Sequence, residues 1–227
     1  MIELIDVGHR YDQRLVLDGI TLTLTEPRIA IIGANGSGKS TLARMLNGLV
    51  VPERGRVLID GLNTASDGAA IRRRVGFVFA DPDAQIIMPT VSDDVQFSLR
   101  RLRLPRAELA ERVAQALRTI GLTDHADHPA HLLSSGQKQL LAFASVLVTQ
   151  PSVLVCDEPT TLLDRRNTRR VAELIAGLSQ QVILSTHDLD LVAEWDRVIV
   201  LDQARVVADG PAAQSIAYYL KLVDSAC

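Results

Sequence analysis

The segment Gly33-Ala34-Asn35-Gly36-Ser37-Gly38-Lys39-Ser40-Thr41 decides the fold of this chain, because it matches the pattern G-x-x-x-x-G-K-[ST] in full. An apolar run at 29–32 precedes it, and a helical pattern runs from Ser40 to about residue 49. In a strand–loop–helix of this kind, successive backbone N–H groups surround an oxyanion and the helix start adds its dipole. The segment therefore predicts a nucleoside triphosphate site rather than a plain glycine-rich turn.

Two side chains of this phosphate loop have distinct expected tasks. The ammonium of Lys39 is expected to reach the β- and γ-phosphates as a point charge. The hydroxyl of Ser40 is placed to bind Mg²⁺. The remaining residues expected to contact the nucleotide are Gly33, Asn35, Gly36, Ser37, Gly38 and Thr41.

Composition limits the class of protein. With 227 residues, 47% of them hydrophobic, the chain suits one α/β domain with a small inserted lobe. Aromatic residues make up only 4%, the net charge is −3, and lysine and arginine form no long basic run. Because aromatic platforms and basic stripes are typical of nucleic-acid binding, we expect no nucleic-acid partner.

The sequence also bears on location. No apolar run approaches the ~20 residues that a membrane span requires, and residues 1–6 carry acid where a signal peptide carries base. The two cysteines, Cys156 in an apolar run and Cys227, are typical of a reducing compartment. We expect a soluble, cytosolic protein with Cys156 as a small core residue.

Short apolar runs alternate with helical patterns, which predicts an α/β fold with a mostly parallel sheet. A β-rich layer precedes the phosphate loop, with Asp18-Gly19 as a turn or bulge, and residues 90–150 form a helical subdomain inserted into one domain over 1–227. Ser92, with Asp93 and Asp94, is expected to cap one helix of that subdomain, and Pro105 to begin the next. The predicted strands are 2–7, 15–25, 29–32, 57–60, 75–79, 153–156, 182–185, 197–201 and 205–208, and the predicted helices include 106–120, one after Ser134, 165–178 and 189–195.

The apolar run 153–156 ends in two acids, Asp157 and Glu158. At the end of a buried strand, Asp157 is expected to reach Mg²⁺, directly or through water, opposite Ser40. Glu158 points elsewhere and is expected to polarise the attacking water. Hard oxygen ligands and a triphosphate select Mg²⁺ over softer metals. A strand ending in two acids is a weak signal alone, but beside a phosphate loop it predicts hydrolysis of the nucleotide.

The stretch Leu133-Ser134-Ser135-Gly136-Gln137 precedes an apolar helix and lies 21 residues ahead of the two acids, counted from Gly136 to Asp157. A serine hydroxyl and glycine N–H groups at a helix start form a second anion site. One phosphate loop already surrounds its own triphosphate, so this second site is useful if it closes over the nucleotide of a partner chain.

This stretch resembles the L-S-G-G-Q signature of ATP-binding cassette (ABC) ATPases, and the resemblance extends from Tyr11 to Gly210. It implies ATP and Mg²⁺ as cofactors and a dimer in which Ser134, Gly136 and Gln137 face the partner's nucleotide. Thr160-Thr161-Leu162-Leu163-Asp164 resembles the D-loop, with Asp164 at the dimer seam. His187 resembles the switch histidine that contacts the γ-phosphate, and Tyr11 resembles the aromatic residue that stacks on adenine.

A finer resemblance concerns the ATPases of energy-coupling factor (ECF) transporters, which import vitamins and transition-metal ions. It rests on Val75-Gly76-Phe77-Val78-Phe79-Ala80-Asp81-Pro82-Asp83-Ala84-Gln85 and Thr90-Val91-Ser92-Asp93-Asp94-Val95. The D-loop, the stretch Thr186-His187-Asp188-Leu189-Asp190-Leu191 and the short C-terminus are similar to the ATPase of biotin systems, whereas cobalt and nickel importers share most of these features. The resemblance implies a membrane coupling subunit, a substrate-capture membrane protein and a peripheral position on the cytoplasmic face of the inner membrane.

Two residues depart from the family pattern. Ala80 stands where the Q-loop glutamine is usual, and Gln85 matches a different family glutamine. Ser135 replaces the first glycine of the signature but keeps its N–H group. The apolar stretch Ile86-Ile87-Met88-Pro89 either lines a groove for the membrane partner or belongs to the core of the helical subdomain.

The sequence is also compatible with two rival functions. One is a soluble ABC ATPase without a membrane partner, although fused cassettes, coiled-coil insertions and basic extensions typical of that class are missing from this sequence. The other is a regulatory module that binds ATP and hydrolyses it weakly because of Ala80.

Overall fold

The computed structural model describes residues 1–225, so Cys227 lies outside the described part of the chain. The strands are β1 (Ile2–Tyr11), β2 (Arg14–Leu24), β3 (Arg28–Ile32), β4 (Arg54–Ile59), β5 (Leu62–Asn63), β6 (Val75–Val78), β7 (Val153–Asp157), β8 (Gln181–Ser185), β9 (Arg197–Asp202) and β10 (Arg205–Gly210). The α-helices are α1 (Lys39–Leu46), α2 (Gly68–Arg74), α3 (Val91–Leu99), α4 (Arg106–Ile120), α5 (Ser135–Leu147), α6 (Arg165–Ala176) and α7 (Ala212–Ser225).

The chain divides into two compact units. The first, which we call the nucleotide unit, contains residues 1–75, 153–158 and the chain from Gln180 onward. The second, the helical unit, contains residues 76–152 and 159–179. The domain bounds given above, with a helical subdomain over about 90–150, stay a prediction.

The nucleotide unit contains an antiparallel layer in the order β2-β1-β4-β5. Ile2 at the start of β1 lies opposite Leu24 of β2 and Ile59 of β4, and all three side chains are buried. The β1–β2 register shifts between the pairs Val7–Ile20 and His9–Leu17, where the sequence predicts a bulge at Asp18-Gly19.

A second sheet supplies the frame for the site. Its strands β9, β3, β8 and β7 are neighbours in that order and run parallel, and β10 pairs antiparallel with β9. The four parallel strands are almost entirely buried, which explains their continuous apolar runs. The carboxyl ends of β3, β7 and β8 therefore lie together at one edge, followed by the phosphate loop, the two acids and His187.

The helical unit is built around α5. Its apolar residues Leu141 and Phe143 are fully buried, and α3 and α4 both pack on it. Helix α4 buries Val113, Leu117 and Ile120, which lie on one face. It ends where Gly121 adopts a left-handed conformation (φ 69°). The α/β class, the mostly parallel sheet, the antiparallel layer and the helical part agree with the predicted fold.

Several local predictions were wrong. Residues 189–195 form no α-helix: the backbone N–H groups of Val192 and Trp195 bond three residues back, and only a 3₁₀ turn at Asp190–Val192 results. The N-cap of α3 is Thr90, whose hydroxyl accepts from the Asp93 N–H, and not Ser92. Helices α2 and α7 were not predicted. Helix α2 is short and carries Ile71 as its one large apolar residue, so it has no apolar stripe to detect. In α7 the signal was present but overlooked, because Ile216, Tyr219, Leu220 and Val223 have helical spacing.

Candidate nucleotide site

The phosphate loop joins β3 to α1. Gly36 and Gly38 adopt positive φ angles of 80° and 110°, a conformation that side-chain-bearing residues rarely accept. Asn35 and Gly36 are exposed, whereas Gly33, Ser37, Gly38 and Thr41 are buried. The loop thus has the shape that the sequence predicts, a turn of backbone ending at the N-terminus of α1.

Lys39 is buried, with 5% of its side chain exposed. Its ammonium donates to the carbonyl oxygens of Gly33 at 2.9 Å and Ala34 at 3.2 Å. The same nitrogen lies 3.6 Å from Oε1 of Glu158. A desolvated cation at the mouth of the loop, held by two carbonyls and a carboxylate, suits the binding of an anionic phosphate chain.

Asp157, at the end of β7, is fixed from three sides. Its Oδ1 accepts from the hydroxyls of Ser40 and Ser185, both at 2.7 Å. Its Oδ2 lies 3.5 Å from Nη2 of Arg44. Because Asp157 is buried, these contacts hold its carboxylate in one orientation beside Ser40.

Sequence reasoning missed Ser185 and Arg44. Ser185 pairs with Asp157 in the β7–β8 register, and Arg44 lies one helical turn after Ser40. The helical spacing offered a signal for Arg44. For Ser185 the signal was weaker, since it required knowing that β7 and β8 are neighbours.

Glu158 and His187 are in direct contact. The Nδ1 atom of His187 lies 2.6 Å from Oε2 of Glu158, and the histidine side chain is 56% exposed against 15% for the glutamate. Glu158 has a positive φ of 52°, and its N–H donates to the carbonyl of Ser185 at 2.9 Å. The backbone of Glu158 therefore lies in the left-handed region, which residues with a side chain rarely adopt.

Tyr11 ends β1, is 47% exposed and lies edge-on to His9, with ring centroids 4.8 Å apart. Its partner across the hairpin is Arg14, and the guanidinium of Arg14 donates to the carbonyl of Gly36 at 3.2 Å. This bond places the end of the hairpin beside the phosphate loop.

Cys156 precedes Asp157 and is fully buried. Burial, and to a lesser extent the neighbouring carboxylate, raises the pKa of its thiol well above the ordinary value. The thiol stays protonated and unreactive, as expected for a core residue.

The helical unit carries the second group of predicted residues. Ser134 caps α5: its hydroxyl accepts from the Gln137 N–H at 3.3 Å, and the Gln137 side chain accepts from the Ser134 N–H at 2.9 Å. A side chain on Gly136 would overlap Asn167 of α6. Asp164 caps α6 by accepting from the Asn167 N–H at 2.8 Å, and it is exposed.

The departures from the family pattern also lie in the helical unit. Ser135 occupies the first position of α5 with a normal helical backbone, so the side chain that replaces the family glycine causes no backbone strain. Ala80 is half-buried after β6. The Gln85 amide is engaged with backbone, accepting from the Phe79 N–H at 3.2 Å and donating to the Phe77 carbonyl at 3.3 Å. Of the apolar stretch 86–89, Ile87 is exposed and Ile86 and Met88 are half-buried.

A family model described as ABC transporter matches residues 17–161. An ABC transporter ATP-binding protein of Deinococcus radiodurans is 51% identical over 219 residues, covering 96% of this chain and 97% of that protein. The biotin transport ATP-binding protein BioM of Rhizobium etli is 44% identical over 221 residues, covering 97% and 98%. The energy-coupling factor transporter ATP-binding protein EcfA1 of Bacillus subtilis is 40% identical over 220 residues, covering 93% and 78%.

Solved structures agree with this match. The cbiO1 protein of Clostridium perfringens, described as part of the ABC transporter complex cbiONQ, is similar with a TM-score of 0.85, 34% identity and coverage of 96% of this chain and 92% of that one. The ATP-binding cassette MJ0796, solved as a post-hydrolysis dimer with ADP and Pi, gives a TM-score of 0.83, 27% identity and coverage of 93% and 99%.

The chain belongs to the ABC transporter family and is one of its ATP-binding, ATP-hydrolysing domains. Within that family it is an ATPase of the energy-coupling factor type. None of the helices in residues 1–225 has the length and apolarity needed to cross a membrane.

Proposed function

We propose that this chain powers an ECF-type importer of a vitamin, with biotin as the solute. It works at the cytoplasmic face of the inner membrane, bound to a transmembrane coupling protein that associates with a substrate-capture membrane protein. The 44% identity to BioM and the ECF-like stretches 75–85 and 90–95 support this assignment.

The nucleotide unit is proposed to bind ATP along the phosphate loop. Tyr11 stacks on the adenine, while Lys39 and the N–H groups of the loop bind the phosphate chain. Ser40 and Asp157 are the proposed Mg²⁺ ligands. Their oxygens lie 2.7 Å apart, and a hydroxyl beside a carboxylate is a hard donor set that suits this ion when phosphate oxygens and water complete its shell. The bound ion neutralises charge on the phosphates.

Glu158 is proposed to accept a proton from the attacking water. Water oxygen bonds to the γ-phosphorus, the bond from that phosphorus to the ADP oxygen breaks, and the water proton passes to Oε1 or Oε2 of Glu158. His187, 2.6 Å from this carboxylate, orients it and contacts the γ-phosphate. Lys39 stabilises the charge that develops on the phosphate oxygens.

The signature residues are proposed to complete the site of a second copy. The Ser134 cap uses the N–H groups of Ser134 and Gln137, and the N–H of Lys138 bonds to the Ser134 carbonyl. Among the hydrogen bonds of residues 1–225, the N–H groups of Ser135 and Gly136 have no acceptor. In the proposed dimer, these two donors and the Ser134 hydroxyl face the triphosphate of the partner, and Gln137 supports them. Asp164 lies at the seam between the two chains. Two copies therefore enclose two ATP molecules.

The observation that carries the proposed chemistry is the Lys39–Glu158–His187 cluster beside the Ser40–Asp157 pair. Replacing Glu158 with Gln removes the base but keeps the size of the side chain, so ATP turnover should fall about 10²–10⁴-fold while ATP binding persists. Glu53→Gln, at an exposed acid, is the matched control. Unchanged ATPase activity in the Glu158→Gln protein would refute the role of this residue.

The solute requires a separate experiment. The chain should be co-purified with its membrane subunits, reconstituted into vesicles containing ATP on the side of the ATPase, and tested with labelled biotin, Co²⁺ and Ni²⁺. ATP-dependent accumulation of biotin alone supports the proposal. Accumulation of Co²⁺ or Ni²⁺ instead assigns the chain to the metal importers, and failure to associate with membrane subunits favours a soluble role.

A further inference from the structure

His125 contacts the signature helix through Gln137. The histidine lies in a short 3₁₀ turn (Thr123–His125) ahead of α5, and its Nε2 is 3.3 Å from Nε2 of Gln137. Both residues belong to the helical unit. Two nitrogens at this distance form a hydrogen bond only if one of them carries a lone pair.

The orientation of the Gln137 amide is fixed by the backbone. The Ser134 N–H can only donate, and it points to Gln137 Oε1 at 2.9 Å. The other end of the amide, which faces His125, is therefore the NH₂ group. An amide rotated by 180° would bring two donors together at Ser134, so that alternative is excluded by the same contact.

This orientation makes Nε2 of His125 the acceptor of the contact. Because the Gln137 NH₂ can only donate, a hydrogen bond at this contact requires a lone pair on His125 Nε2, which the tautomer with its proton on Nδ1 provides. That Nδ1 is buried and has no protein partner among residues 1–225. The other tautomer and the doubly protonated ring would both place an N–H against the Gln137 NH₂.

We propose that His125 is a positioning residue for the signature segment, acting as the hydrogen-bond acceptor that holds Gln137 in the cap of α5. With Gln137 held, the Ser134 N–H is occupied inside its own chain, and the Ser135 and Gly136 N–H groups keep a fixed direction. A donor at position 125 would displace the Gln137 amide and free the Ser134 N–H. The Ser134 hydroxyl and the N–H groups of Ser135 and Gly136 would then lose their fixed directions. This inference rests on the proposed role of the signature in binding a partner's nucleotide.

The test uses three substitutions that separate acceptor, donor and apolar groups. His125→Gln keeps an acceptor oxygen at a reach similar to that of Nε2, His125→Lys offers only donors, and His125→Leu offers neither. His128→Lys is the matched control, since His128 is exposed and contacts the His125 ring edge-on at 5.7 Å between centroids. All are made in the Glu158→Gln protein, in which we expect bound ATP to persist.

The first measurement is hydrogen exchange of the Ser134 and Gln137 backbone amides in the isolated chain. We expect protection close to that of the parent in the Gln variant and the His128→Lys control, and protection reduced about tenfold in the Lys variant. The Leu variant should lie between them. Equal protection in the Gln and Lys variants would overturn the proposal.

The second measurement is ATP-driven dimerisation, followed by light scattering. The Gln variant should dimerise within about twofold of the parent, whereas the Lys variant should need about tenfold more protein. A Lys variant that dimerises like the parent overturns the positioning role. If the parent itself stays monomeric with ATP, the proposed function fails instead, and the exchange measurement still decides whether His125 controls the cap.

Discussion

Gly38, the residue before α1, shows how closely the phosphate loop depends on backbone geometry. Its φ is 110°, and a β-carbon added there would lie 2.5 Å from the Val16 carbonyl oxygen and 2.9 Å from Leu17 Cδ2. The obstacle is backbone of β2, which cannot move aside as a flexible side chain does. The loop motif is therefore tied to the antiparallel layer as well as to the nucleotide.

Replacing Gly38 with Ala should lower the free energy of unfolding by about 2 kcal/mol or more, because both the positive φ and the overlap oppose it. Gly61→Ala is the control: Gly61 has a φ of 79°, but no atom lies within 4 Å of an added β-carbon, so only the backbone penalty of about 1 kcal/mol applies. Urea unfolding monitors both variants. Equal losses would show that the overlap with Val16 and Leu17 does not matter.

Asp18 provides a prediction about pH. The hydrogen bond from Arg205, at 2.6 Å, lowers the pKa of this carboxyl, with a smaller contribution from Arg54. A carboxyl with a lowered pKa in the folded state contributes stability that is complete above its unfolded pKa, near 3.8, and is lost as the pH falls through its folded pKa.

The difference in unfolding free energy between the wild-type protein and Asp18→Asn should therefore be constant from pH 7 to 5 and shrink below about pH 4. Denaturant unfolding across this pH range is the measurement. In an Arg205→Met background the main cause is removed, so the difference should be smaller and depend less on pH. A difference that grows toward low pH would contradict the assignment.

At the scale of elements, Arg197 connects the ends of three strands of the nucleotide unit. From the start of β9, its guanidinium donates to both carboxylate oxygens of Asp209 in β10 at 2.6 and 2.7 Å, and to the carbonyl of Thr23 in β2 at 2.7 Å. Glu26 accepts from the same group at 3.1 Å. Burial favours the protonated form of Glu26, but backbone N–H groups and Arg197 outweigh it and lower the pKa of its carboxyl.

Arg197→Met should reduce the free energy of unfolding by about 2–3 kcal/mol, because it leaves two partly buried carboxylates without their cation. The Arg197 side chain is only 16% exposed, which limits the screening of its ion pairs by solvent. Arg169→Met removes a pair whose side chains are 82% and 64% exposed, and it should cost no more than about 0.5 kcal/mol. The idea fails if chemical denaturation gives the two variants the same stability.

At the scale of the whole molecule, the proposed dimer divides each ATP site between two chains. One chain contributes the phosphate loop and the other contributes the signature. Two variants, each inactive by itself, should then complement each other when mixed. Lys39→Ala disables the loop, and Ser134→Arg blocks the signature.

A mixture in equal amounts should recover about a quarter of wild-type ATPase activity, since about half of the dimers are mixed and each of these contains one intact site. Mixing two Lys39→Ala preparations is the control and should recover nothing. The assay measures phosphate release after subunits have been allowed to exchange. No recovery in the mixture, although mixed dimers form, would show that a site is not shared between chains in this way.

The sequence alone determined the phosphate loop, the paired acids after an apolar strand, the signature cap and the α/β class, because each of these depends on neighbours along the chain or on a local period. The tertiary structure decided what depends on distant contacts. Ser40 and Asp157 are 117 residues apart, Ser185 meets Asp157 only because β7 and β8 are neighbours, and His125 meets Gln137 across a turn. Sequence spacing does not encode which strands are adjacent or which end of an amide faces a ring, since packing and hydrogen-bond satisfaction of the folded chain fix both.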